Sequence, residues 1–149
     1  MKRMWLIGLL ALAVLLVLAV VMALAPAGPS DALWHAIVRV ESGGNPRAFN
    51  RHRAAWGIAQ IRGVCLADIN RIARQVGLEG RYTVADLADP AKARRIWSLY
   101  LGFYGNLYTR QTGRTPTDEV YARIWNGGPN GWRKASTRAY WDRVRSEMD

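Results

Sequence analysis

Ser30-Asp31-Ala32-Leu33-Trp34-His35-Ala36-Ile37-Val38-Arg39-Val40-Glu41-Ser42-Gly43-Gly44-Asn45-Pro46 is the stretch on which the fold turns. Leu33, Trp34, Ile37, Val38 and Glu41 recur at steps of three and four, which places them on one face of a helix. Ser30 is a fitting N-cap, and Gly43-Gly44-Asn45-Pro46 stops the helix. A carboxylate therefore falls on an apolar stripe, in the last turn. Burial desolvates it, and the negative end of the helix dipole repels it, so both effects raise its pKa. A carboxyl that keeps its proton near neutral pH is what a general acid requires. The plainer alternative is that Glu41 reaches solvent at the helix end, or pairs with Arg39 or Arg47.

Downstream, Arg47 to Gly63 shows no sustained periodicity and sets small residues between bulky ones, so a structured loop with a short strand or helical turn is expected. Helices are predicted from Val64 to Val76, closed by Gly77, and from Pro90 to Tyr108, capped by Asp89. Thr115-Pro116-Thr117-Asp118 opens a further helix carrying Val120, Tyr121, Ile124 and Trp125, which ends at Asn126-Gly127-Gly128-Pro129. A last helix follows Thr137. No internal repeat is evident, and every firm element is helical, so the fold class is mainly α.

Upstream, Met1-Lys2-Arg3 carries positive charge and Met4 to Ala25 carries none, while Trp5 to Leu24 gives 20 apolar residues. That length just spans a bilayer's hydrocarbon core and favours a retained N-terminal apolar helix. Ala25-Pro26-Ala27 also offers small residues where a signal peptidase looks, so a cleaved signal stays open. Residues 1–27 are read as signal peptide or membrane anchor and 28–149 as one domain, in line with a chain of 149 residues. Lys2 and Arg3 keep the N-terminus inside, so either outcome delivers the domain to the periplasm or extracytoplasmic side, where an uncleaved segment holds it at the inner membrane. Losing residues 1–27 removes two of 21 basic residues and none of 11 acidic ones, leaving 19 against 11, a net +8. Such a charge suits anionic lipid or wall polymer there better than nucleic acid, which is not an expected partner. With Cys65 as the sole cysteine, no internal disulfide can form. Its expected role is that of a small buried hydrophobe.

Three segments in order carry a resemblance: Val40-Glu41-Ser42-Gly43-Gly44-Asn45-Pro46, Trp56-Gly57-Ile58-Ala59-Gln60-Ile61, and Ile124-Trp125-Asn126-Gly127-Gly128-Pro129. Together they resemble the motifs of soluble lytic transglycosylases (SLT), in the lysozyme-like superfamily, over about residues 31–146. The resemblance implies a lysozyme-like fold and cleavage of the MurNAc–GlcNAc bond of peptidoglycan, leaving 1,6-anhydro-MurNAc ends, with Glu41 as acid and base. It implies substrate-binding positions at Gly57 and Gln60, with Ala59 where the family has Met. In the third motif Trp125 replaces a tyrosine that contacts the sugar, next to Asn126. Asn50 stands where the family often has serine.

A two-carboxylate glycosidase needs a second acidic group across the bond. From Ser42 to Ala67 there is none, and Asp68, Asp86 and Asp118 read more simply as helix-end or surface charges. The family's chemistry needs one carboxylate, because the substrate's own N-acetyl group assists. Among the aromatics, Trp34 and Trp97 fall on helical stripes and are expected in the core, whereas Trp56, Trp125 and Trp132 adjoin glycine-rich turns and are candidates for a cleft wall. Arg47, Arg51, His52, Arg53 and Arg62 make the loop basic, either as a solvated face or as a grip on the carboxylates of wall peptides. Two separated histidines and one cysteine make no metal site, and no cofactor is expected. A hydrolytic muramidase and a non-catalytic wall-binding module, serving an envelope or secretion complex, are the rival readings.

Overall fold

The computed structural model describes residues 28–148. The apolar N-terminal segment, with its expected helix, lies outside them. Among the described residues no helix is long and apolar enough to cross a membrane.

Helix α1 spans Asp31–Ser42. The Ser30 Oγ accepts the Leu33 N–H at 3.0 Å, as an N-cap does. The same hydroxyl donates to Asp118 Oδ2 at 2.7 Å, which ties the start of α1 to the start of a helix 88 positions away. Gly43 closes α1 in the left-handed region at φ 61°, its N–H reaching the Arg39 carbonyl, while the Gly44 N–H reaches that of Val38. Glu41 is thereby fixed one residue before the end of a rigid rod.

The loop expected after α1 is a small antiparallel sheet of three two-residue strands: β1 (Phe49–Asn50), β2 (Ala55–Trp56) and β3 (Ile61–Arg62). Phe49 pairs with Trp56, and Trp56 with Ile61. Strands this short leave no period-2 signal in the sequence. The connection from β2 to β3 turns through Gly57 (φ 76°) and Gln60 (φ 51°).

Four helices complete the domain. α2 is Gly63–Gln75, and a 3-10 turn at Val84–Ala88 leads into α3, Pro90–Thr112. Asp89 caps α3 as expected, accepting the Ala91 and Lys92 N–H groups. The helix runs four residues past the predicted end at Tyr108, because the apolar face stops there while Gly113, at φ 70°, is the first residue to leave helical backbone. α4 is Asp118–Gly127, capped by Thr117, and α5 is Arg138–Arg145. α1 packs on α4 and α5, and α3 on α2 and α4. The fully buried side chains of Leu33, Ile37, Ile69, Ile72, Ile96, Trp97, Leu101 and Ile124 form one core. Trp34 and Trp97 meet inside it at 5.2 Å between ring centroids, as their helical spacing predicted. The fold class is mainly α.

Candidate active site

A cavity of about 420 Å3 opens where α1, the sheet, α4 and α5 converge. Glu41, Asn50, Gln60, Trp125 and Asn126, five of the six site residues expected from the sequence, line it together. The three motifs meet because each ends in a turn at the same place: the Gly43 cap of α1, the Gly57–Gln60 connection and the Gly128 end of α4.

Gly57 is the exception. It is buried behind the lining, and a Cβ added there would lie 2.1 Å from the Leu87 carbonyl oxygen. Its glycine serves close packing of the sheet on the 3-10 turn, together with the positive φ. What the structure assigns to Gly57 is this backbone role.

Ser42 locks this arrangement. Its hydroxyl lies 2.7 Å from the Ile58 carbonyl and 3.3 Å from that of Val38, joining the end of α1 to the loop that carries Gln60. Gln60 commits its amide nitrogen to the same loop, donating to the carbonyls of Gly57 at 3.0 Å and Ala48 at 3.4 Å. Its carbonyl oxygen is the atom left for the cavity.

Glu41 is mostly buried, and burial pushes its pKa above the ordinary glutamate value. Three groups oppose that rise: first the Tyr140 hydroxyl, which donates to Glu41 Oε1 at 2.7 Å, then the charges of Arg53 and Arg143. The paired Tyr140 hydroxyl is itself held well above the usual tyrosine range by burial and by Glu41. Neither Arg39 nor Arg47 pairs with Glu41; Arg39 reaches Glu147 instead.

Tyr140 and Arg143 line the cavity and were not singled out from the sequence. Tyr140 reads there as one apolar position on a short terminal helix, and its partner lies 99 positions away. Cys65 also lines the cavity, half-buried rather than sealed in the core. Trp125 packs edge-on to Tyr100 at 5.8 Å, with part of its ring open to the cavity. The other two cleft-wall candidates lie elsewhere: Trp56 sits beneath Phe49, and Trp132 packs edge-on against Tyr108.

No second carboxylate of the described residues lines the cavity. Asp68 accepts the Tyr104 hydroxyl at 2.5 Å and pairs with Arg71 at 2.8 Å. Asp86 closes a capping box with Thr83 and pairs with Lys92 at 2.6 Å; the Lys92 bond above all, with Thr83, holds its pKa down at about 2. Asp118 accepts from Ser30. The lining also carries three arginines, Arg53, Arg62 and Arg143, in no ion pair among the described residues. Nor do the described residues hold a cluster of metal-ligating side chains.

A family model described as the Transglycosylase SLT domain matches residues 22–143. The chain belongs to that family. The SLT domain here is also similar to bivalve lysozymes. It is 45% identical over 40 residues to Lysozyme 1 of Crassostrea virginica, a stretch covering 27% of this chain and only 22% of the oyster protein. The Tapes japonica lysozyme structure superposes with a TM-score of 0.63 at 24% identity, covering 81% of this chain and 92% of that one. The inhibitor-bound lysozyme from Meretrix lusoria gives 0.62 at 25% identity, over 80% and 92%. The SLT domain therefore has a lysozyme-like fold, as the sequence motifs implied.

Proposed function

We propose that the chain is a peptidoglycan lytic transglycosylase with Glu41 as its acid and base. The observation that carries this reading is the lining of the cavity: among the described residues Glu41 is its one carboxylate, raised in pKa, held by Tyr140 and with Arg53 and Arg143 nearby. A hydrolase that uses an acid and an opposed nucleophile or base needs two such groups. With one, the substrate's own acetamido group takes the place of the second, and in the proposed route the C6 hydroxyl rather than a water closes the reaction. Protonated Glu41 gives its proton to the glycosidic oxygen as the C1–oxygen bond breaks, and the acetamido oxygen of the same MurNAc attacks C1. The Glu41 carboxylate then takes the proton of the C6 hydroxyl, O6 displaces the acetamido oxygen at C1, and the 1,6-anhydro end forms without water. Tyr140 keeps the carboxylate in place in both protonation states, because its hydroxyl donates to either.

Gln60 through its carbonyl oxygen, Asn126 and Asn50 supply polar groups for acetamido and hydroxyl contacts, and Trp125 offers an aromatic edge. Residues 1–27 place the domain outside the cytoplasm, as a cleaved signal or an anchor, next to the wall it cuts. The names of the relatives favour a hydrolytic muramidase as the second reading; the cavity lining among the described residues speaks against its two-carboxylate form. Incubating purified peptidoglycan with the wild-type chain and with Glu41→Gln tests the proposal. Solubilisation by the first and none by the second is the result expected; equal solubilisation, or binding without solubilisation by both, would end it.

A further inference from the structure

A second groove of about 470 Å3 adjoins the cavity. Glu41, Asn50 and Gln60 border both spaces, Trp125 and Asn126 border only the first, and Phe49 and Arg51 only the second. Glu41 thus stands where the two meet, as the acid of an enzyme that binds sugars on both sides of the bond it breaks would have to. Phe49 is 52% exposed, which forgoes the gain of burying a phenyl ring. It is nevertheless held rigidly: its ring stacks on Trp56 at 5.4 Å and 26°, the two residues are paired across β1 and β2, and the Gly57 N–H bonds the Ala48 carbonyl beside them at 2.9 Å. A flat apolar face kept rigid in water, flanked by the amides of Asn50 and Gln60, matches the C–H face and polar rim of a pyranose.

We propose that Phe49, backed by Trp56, is the stacking platform of an N-acetylhexosamine subsite on the flank of Glu41 away from Trp125. The proposal rests on the glycan-cleaving reading above and adds a position that none of the three motifs carries. The probe is tetra-N-acetylchitotetraose, titrated calorimetrically into Glu41→Gln and into the double variants that add Phe49→Ala, Phe49→Leu or Phe49→Tyr. Kinetics on soluble glycan strands are measured in the corresponding single Phe49 variants. Phe49→Ala should weaken binding and raise KM by about fivefold to tenfold, the size of one aromatic contact, with kcat at saturation little changed. Phe49→Tyr should restore both. Phe49→Leu keeps the bulk without the flat face and should behave like alanine, which guards against reading a folding defect as lost stacking. Binding by the alanine or leucine variant equal to that of Glu41→Gln alone overturns the platform. A wild-type chain that binds the tetrasaccharide through Phe49 but cuts no glycan would instead overturn the catalytic reading and leave the platform standing.

Discussion

Tyr140 Oη donates a 2.7 Å hydrogen bond to Glu41 Oε1, joining α5 to the end of α1 across 99 positions of sequence. It fixes the orientation of the cavity's carboxylate and partly offsets the rise that burial imposes on its pKa.

Tyr140→Phe removes this bond and little else. A hydrogen bond to a charged group contributes enough that kcat should fall roughly tenfold to a hundredfold. Glu41 also loses a group that lowers its pKa, so the basic limb of the pH–kcat profile should move to higher pH. An unchanged kcat with an unchanged profile would remove Tyr140 from the site.

Stability should carry the mark of Glu41 as well. Because the folded-state pKa is raised, the stabilising contribution is fully present below the ordinary value of 4.5 and is lost as pH rises through the folded value. Glutamine mimics the protonated form and still accepts from Tyr140. Glu41→Gln should therefore melt with the wild type at about pH 4 and above it at about pH 7.5, the gap widening as pH rises through the folded value. A difference independent of pH would contradict a desolvated Glu41.

The basic loop makes a separate claim. Arg53 lines the cavity and Arg51 borders the groove beside it, so both face where an anionic wall would lie. Replacing both with Gln should weaken binding to sacculi at low ionic strength, near about 0.02 M, and matter little near about 0.5 M, where the Debye length is only a few ångströms. Equal loss at both salts would refute an electrostatic role.

Cys65 lines the same cavity, yet burial, together with the nearby Asp68, pushes its thiol up to about 12. At pH 8 only ~10⁻⁴ of it is thiolate, so iodoacetamide should label native protein far more slowly than denatured protein. Equal rates would show that the thiol is neither buried nor suppressed.

What the sequence revealed follows from the range of the interactions involved. α1 was legible because its cap, its apolar stripe and its glycine stop are all local, and Glu41 came with it. Asn50, Gln60, Trp125 and Asn126 were reached through motif resemblance, and the turns that end each motif bring them together. The packing of Gly57 on the Leu87 carbonyl is not legible in the sequence, because a motif glycine reads alike whether it lines a cavity or packs behind one. Trp56 and Trp132 adjoin glycine-rich turns as Trp125 does, and only packing on Phe49 and Tyr108 separates them from it. Tyr140 and Phe49 depend on pairings with residues on other elements, and no local pattern announces either.

The most direct test of intramolecular closure by the C6 hydroxyl is the mass of the ends it makes. Peptidoglycan digested by the wild-type chain, with Glu41→Gln as the control, is resolved into muropeptides and weighed. The account predicts 1,6-anhydro-MurNAc ends, one water lighter than reducing ends, and none from the variant. Reducing MurNAc ends as the main wild-type product would contradict it.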